Sequence, residues 1–275
     1  MERLTSLSTV ADNYDAMLLD LWGVVHDGTA LYPGAQAAMT ALKEAGKQIM
    51  LVSNAPRRSH KAVAVLEKLG VDASLYDHVI TSGELGWQWL SSGDCAWGKR
   101  YFYIGPSKDA DVLDGLDYVR VDDVKQADFL LNVGFGSEEE QASSDLSMLL
   151  RAAKAQNTPM LCLNPDLEVV KITGERFECA GVIAAEYARM GGEVKYFGKP
   201  FSETYDYCMQ TLGIEKHNIL AVGDGLGTDI KGALGAAIDC VFVTGGIFKK
   251  DEHAIEEACK KYDVSPQYIM SQLEW

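Results

Sequence analysis

Four short stretches of the chain carry residue types that could do chemistry together: Asp20, Ser53-Asn54, Lys199-Pro200, and Gly223-Asp224 followed by Asp229. They offer carboxylates, a hydroxyl beside exposed backbone N–H groups, and an ammonium. An Asp at the end of a rigid strand is placed to act as a metal ligand or as a nucleophile. Ser53-Asn54 could hold an anion against backbone N–H groups at a helix start. Lys199, with Pro200 fixing the backbone behind it, suits a phosphate. Each stretch alone has an ordinary explanation. Asp caps turns, Ser-Asn makes them, a lone Lys is solvated, and Gly-Asp-Gly is often a hairpin. Their weight comes from all four sitting at strand ends of one chain.

The glycine-rich stretch is not a dinucleotide fingerprint, because its glycines fall at 223, 225 and 227 rather than at G-x-G-x-x-G spacing. Asp224 and Asp229 would also repel an approaching pyrophosphate, which disfavours a nucleotide-binding oxidoreductase. A divalent cation reconciles acidic residues with a phosphate ligand, since Mg²⁺ prefers one or two carboxylates plus water and phosphate oxygens. Metal-assisted phosphoryl chemistry is the better reading.

These residues need elements to position them. Ala16-Met-Leu-Leu-Asp20 is apolar with no period, as in a strand buried on both faces. Strands over 47–53 and 78–81, with helices over 34–46 and 57–69 between, make βαβαβ, which implies a parallel sheet with helices on its faces. In such a sheet ligands sit at the carboxyl ends of the strands. Around Gly86 the texture changes: Trp87, Trp89 and Trp97 precede closely spaced strands near 101–104, 118–121 and 129–133. A helix from about Glu138 to Ala155, a strand over 160–163, the turn Asn164-Pro165-Asp166 and a helix over 180–190 complete an inserted α+β module. The strand over 194–197 is expected to resume the first pattern. Helices over 203–212 and 229–237 then alternate with strands over 218–222 and 240–243, and a solvated helical tail follows Lys249. The expected class is α/β, a Rossmann-like doubly wound parallel sheet. Its core is expected to span 1–84 and 191–275, with an inserted α/β domain over 85–190.

Composition sets outer limits. With 275 residues, 47% hydrophobic and 24% charged, the chain is globular. A net charge of −15 disfavours nucleic acid or an anionic membrane as partner, so a phosphate site must be built locally. The six cysteines form no CxxC pair, and several lie in apolar runs as buried free thiols do. No signal peptide or membrane-spanning stretch is evident, and the expectation is a cytoplasmic protein.

Asp20-Leu-Trp-Gly-Val24, Ser53-Asn54, Lys199-Pro200 and Gly223-Asp224 with Asp229 together resemble the four motifs of the haloacid dehalogenase (HAD) superfamily of phosphatases. An insertion of about 100 residues between the second and third motifs resembles class IIA, which carries its C2-type cap there. Gly28, Thr81-Ser82, Asn164-Pro165-Asp166 and Gly198 support the likeness, which covers nearly the whole chain. The resemblance implies that Asp20 is the nucleophile, taking the phosphoryl group as an aspartyl phosphate. It implies that Ser53 binds phosphoryl oxygens with Asn54 supporting that loop, and that Lys199 neutralises phosphoryl charge. Mg²⁺ would be held by Asp20, Asp224 and the backbone carbonyl of Trp22, with Asp229 orienting the metal shell. The implied substrate is a small phosphorylated metabolite of the sugar phosphate or nucleotide monophosphate type.

One position departs from the pattern. Where these phosphatases usually carry a second Asp as general acid and base, this chain has Trp22, whose indole can neither protonate an alkoxide nor deprotonate water. That favours slow turnover, or the alternative of a weakened protein that acts by binding a phosphorylated ligand. Asp27 could substitute, though a loop Asp more often holds a turn. Asn164 and Asp166 are candidates for substrate choice, against a structural role for the Asn-Pro-Asp turn. Oligomeric state stays open, a homo-oligomer included.

Overall fold

An apolar run without a period has no face to give to water, and Ala16–Asp20 accordingly forms a strand buried at every position. The structure, a computed structural model, describes residues 1–136, 144–170, 173–245 and 252–275. Its strands before the insertion are β1 (Glu2–Arg3), β2 (Ala16–Asp20), β3 (Gln48–Ser53) and β4 (His78–Thr81). Next come β5 (Arg100–Ile104), β6 (Val119–Val121), β7 (Phe129–Asn132), β8 (Met160–Cys162), β9 (Glu168–Val170), β10 (Arg176–Glu178) and β11 (Val194–Tyr196). The chain closes with β12 (Ile219–Gly223), β13 (Asp239–Val243) and β14 (Tyr268–Met270).

Seven strands form one parallel sheet in the order β1-β14-β13-β12-β2-β3-β4. The two-residue period of β2 sorts its side chains between two cores. Met17 and Leu19 pack with Met39, Leu42 and Leu66 from the helices Ala35–Glu44 and Ser59–Lys68. Ala16 and Leu18 belong to the opposite core, with Tyr205, Cys208 and Leu212 from the helix Ser202–Leu212. The sheet is thus covered on both faces, which is the doubly wound arrangement.

A second parallel sheet, β11-β8-β7-β5-β6, lies in the inserted unit. Among the described residues, antiparallel pairing there is confined to β9 and β10. The strand Val194–Tyr196, expected to resume the first sheet, pairs instead with Met160–Cys162 in the second. Its apolar pattern identifies a strand but not the neighbour. The expected boundary at 84/85 also falls within a helix, Ser82–Ser92. Thr81-Ser82-Gly83-Glu84 is a helix-start signature, and the Thr81 side chain accepts from the Glu84 N–H. We propose that the inserted unit runs from the end of this helix to Tyr196.

The expected helix near Glu138 is described from Ser144 to Ala155; residues 138–143 lie outside the described residues, as do Lys249 and Lys250. The tail helix Glu252–Tyr262 is not simply solvated, because Ile255 and Cys259 are buried in the sheet's core. All six cysteines are free thiols. No helix among the described residues is long and apolar enough to cross a membrane.

Candidate active site

Because the first sheet is parallel, the carboxyl ends of β12, β2 and β3 open on one edge. The register sets Asp20 beside Val52 and Leu19 beside Val222. Asp20, Ser53 and Asp224 therefore emerge from three adjacent strand ends. Lys199 enters from the loop after β11. Its Nζ lies 2.5 Å from Asp20 Oδ1 and 2.7 Å from Asp229 Oδ1, and donates to the Val52 carbonyl at 3.1 Å. The other Asp229 oxygen accepts from the Gly225 N–H at 3.1 Å and the Thr228 hydroxyl at 3.3 Å. All four charged groups are buried.

Asp20, Asp224 and Asp229 each place a carboxylate oxygen within 4.8 Å of the others. Burial, then the charges of Asp229 and Asp224, push the Asp20 carboxyl well above its ordinary range against the pull of Lys199. Burial alone would lower the Lys199 ammonium, but Asp20 and Asp229 more than offset it and hold it well above its usual value. Both partners of the pair shift upwards, Asp20 because it is buried among like charges and Lys199 because Asp20 and Asp229 face it. An all-oxygen, buried, net anionic donor set suits a hard divalent cation. Gly23 contributes to the same cradle: its φ is +99°, and a Cβ there would overlap the Asp224 carboxylate. The residues present thus fit a metal.

Ser53 Oγ accepts from the Ala55 N–H at 3.2 Å, shaping the turn after β3. The Asn54 amide faces the protein. Its Oδ1 accepts from the Lys199 N–H at 2.7 Å, while Nδ2 donates to the Lys199 carbonyl at 3.0 Å and to Asp166 Oδ1 at 2.8 Å. Both amide hydrogens are spent within the chain, so the geometry suits support of the loop rather than direct contact with a ligand. Asn164 Oδ1 accepts from the Asp166 N–H at 3.0 Å and closes the Asn-Pro-Asp turn.

Trp22 reaches outward. Its Nε1–H donates to the Val170 carbonyl at 2.9 Å, so the loop after Asp20 is tied to the β9–β10 hairpin. The ring stands edge-on to His26, and Gly28 leaves room for it, since a Cβ there would lie 2.7 Å from Cζ3. Asp27 Oδ1 accepts from the Thr29 N–H, the Thr29 hydroxyl and the Ala30 N–H, the pattern of a turn-holding residue. Two neighbours went unread in the sequence. One is Tyr32, whose hydroxyl is pushed up to about 12 by burial and by the charges of Asp224, Asp27 and Asp20. No local pattern marks it.

The other is His26, whose Nδ1 accepts from the Gly28 N–H at 2.8 Å and must therefore be neutral. Burial pushes it down from 6.5 to about 4, against the raising effect of Asp27. The unfolded chain takes up a proton where the folded one refuses it, so stability is lost as pH falls from about 6.5 towards 4. His26→Asn keeps an acceptor without the titration. Urea denaturation is expected to show the wild type losing about 2 kcal/mol more than this variant between pH 7 and 5. Parallel losses would contradict a neutral His26.

A family model of haloacid dehalogenase-like hydrolases matches residues 17–119, and a HAD-hydrolase-like model matches 196–274. A haloacid dehalogenase-like hydrolase from Brucella suis is 30% identical, with a TM-score of 0.85 and 99% of each chain covered. The acid sugar phosphatase of Staphylococcus saprophyticus is 22% identical over 95% of this chain and 96% of its own. The glycerol phosphate phosphatase of Mycobacterium tuberculosis, solved with magnesium, shares the fold at a TM-score of 0.70 and 23% identity, covering 94% of this chain and 75% of that one. With its parallel core sheet and inserted cap, this chain belongs to the haloacid dehalogenase-like family, as a phosphatase-like hydrolase.

Proposed function

We propose that the protein is a Mg²⁺-dependent phosphatase of small phosphorylated metabolites, of the sugar phosphate or nucleotide monophosphate type, acting through an aspartyl phosphate on Asp20. The observation that carries this reading is the Lys199 ammonium held between Asp20 and Asp229 at the edge where Asp224 also emerges. The phosphatase relatives, one of them solved with magnesium, support it.

Asp20, Asp224 and the Trp22 carbonyl would hold the cation, and Asp229 would orient its surroundings. When bound, the ion offsets the negative charge of the phosphoryl oxygens and of the carboxylates around them. An Asp20 oxygen attacks phosphorus, and the bond from phosphorus to the leaving oxygen breaks. Lys199 balances the charge spread over the transferring group, and the Ser53 hydroxyl and its loop hold the phosphoryl oxygens. Water then attacks the aspartyl phosphate, releasing inorganic phosphate and restoring the Asp20 carboxylate.

A screen of phosphorylated metabolites with Mg²⁺, reading released phosphate, tests the function. Binding of these compounds without release would favour the second reading, a ligand-binding protein, to which Trp22 points. Asp224→Asn removes one of only two anionic ligands and is expected to weaken Mg²⁺ binding at least about tenfold by calorimetry. Equal affinities would rule out the ligand assignment.

A further inference from the structure

We propose that Asp166 is a positioning residue: from the inserted unit it orients the Asn54 amide, and through Asn54 it fixes the backbone from which Lys199 reaches Asp20. The inference rests on the functional reading above and extends it to a residue outside the core sheet. Asn54 and the Lys199 peptide form a reciprocal pair, N–H to Oδ1 at 2.7 Å and Nδ2 to carbonyl at 3.0 Å. Asp166 Oδ1 takes the remaining hydrogen of that Nδ2 at 2.8 Å. A carboxylate in this place accepts only, so it admits one orientation of the amide. With the amide reversed, Asn54 would set oxygen against the Lys199 carbonyl and against Asp166.

Lys199 needs such an anchor. Four methylenes separate its ammonium from its backbone, and the freedom they carry must be lost for Nζ to sit between Asp20 and Asp229. A small displacement of the backbone moves the charge off the transferring group, and misplacement by about 1 Å can cost on the order of 10²-fold. Asp166 itself is held by a rigid element. Its carbonyl accepts from the Gly181 N–H at 3.1 Å at the start of the helix Ala180–Arg189, and the next carbonyl, Leu167, accepts from the Cys179 N–H at 3.0 Å. Pro165 fills the space beside Gly198, where a Cβ would lie 2.9 Å from its Cδ. Burial pushes the Asp166 carboxyl up to about 6 even though Lys199 and the Asn54 bond pull it down, so ionising it here is costly. An amide of the same shape would avoid that cost and, turned to present its oxygen, would still accept from Asn54 Nδ2.

The test compares wild type, Asp166→Ala and Asp166→Asn, each with Mg²⁺. Inorganic phosphate and Mg²⁺ affinities are read by calorimetry, and kcat and KM with 4-nitrophenyl phosphate. Asp166→Ala is expected to weaken phosphate binding about tenfold and to lower kcat/KM about 10- to 100-fold. Its Mg²⁺ affinity should stay within about twofold, because Asp20 and Asp224 are untouched. Asp166→Asn, turned to present its oxygen, should recover most of both losses. Phosphate binding by the Ala variant equal to wild type overturns the inference while the functional reading stands. A parallel loss of Mg²⁺ affinity, or no recovery in the Asn variant, overturns it as well, pointing to general disruption of the turn. A wild type that binds no phosphate overturns both.

Discussion

Asp20→Asn is expected to lower phosphate release by at least about 10⁴-fold while leaving the metal-free protein no less heat-stable than the wild type. An amide is not a nucleophile towards phosphorus, and removal of a covalent nucleophile ranks among the largest single losses an enzyme can suffer. The stability half of the expectation comes from the charge count. Burial and the neighbouring Asp229 and Asp224 push the Asp20 carboxyl well above its ordinary range, so the folded chain resists the very ionisation that its chemistry needs. Asn keeps the shape and an acceptor for the Lys199 ammonium, and it leaves two carboxylates in the acidic cluster in place of three. Released phosphate and thermal melts check the two halves. Residual turnover within about 100-fold of wild type would exclude Asp20 as nucleophile, and a large fall in melting temperature would show that its charge is needed for packing.

Trp22 is expected to separate the two half-reactions. In the proposed mechanism, attack by Asp20 draws on Lys199 and the cation, whereas protonating the leaving group and activating water need an acid and a base. The indole supplies neither, and its single N–H is already donated to the Val170 carbonyl. Aryl and acyl phosphates, whose leaving groups need little protonation, should therefore react faster than alkyl phosphates. Rapid-quench kinetics with 4-nitrophenyl phosphate should show a burst approaching one nitrophenol per active site. Trp22→Asp should then raise steady-state turnover by about 10²-fold, the lower end of general acid–base catalysis, since it also releases the hairpin. Trp22→Phe stays aromatic but gives up the N–H with part of the ring system, so it removes the tether without adding an acid or base; its burst should persist. No burst together with fast alkyl phosphate hydrolysis would sink the idea and point to an acid from elsewhere. Asp27 is a poor source, being committed to the turn at Thr29 and Ala30.

The residues that cluster around Lys199 were legible because each closes an apolar run beside a small or rigid residue, and parallel strands bring such ends to one edge. Asp20, Ser53, Lys199 and Asp224 could be named without knowing any contact between them. What pairs with what was less legible. The run over 194–197 reads as a strand in either sheet, and its pairing with β8 places it in the second. β1 and β14 are two and three residues long, below the length at which alternation has a meaning. The ties from Trp22 to Val170 and from Asn54 to Asp166 join residues 148 and 112 positions apart. No local pattern encodes contacts of that kind. Asp166 and Asn54 each stood out in the sequence, but nothing there paired them.

The placing of β2 also governs the order in which the molecule can assemble. On one side β2 pairs with β3, supplied by the next segment of chain; on the other it pairs with β12, roughly 200 residues later. The whole inserted unit is contiguous and lies between those partners. Contacts near in sequence close cheaply and early, while distant ones must first overcome the entropy of a long loop. A chain emerging from the ribosome can therefore settle β2 to β4, and then the entire second sheet, before β12 exists. Until then β2 is an apolar edge strand, paired with β3 but open on its other side, which is the state most exposed to wrong association. Asp20 meets Asp224 only once that edge is covered, so the acidic cluster, with its crowded charges, is imposed on a scaffold already largely built.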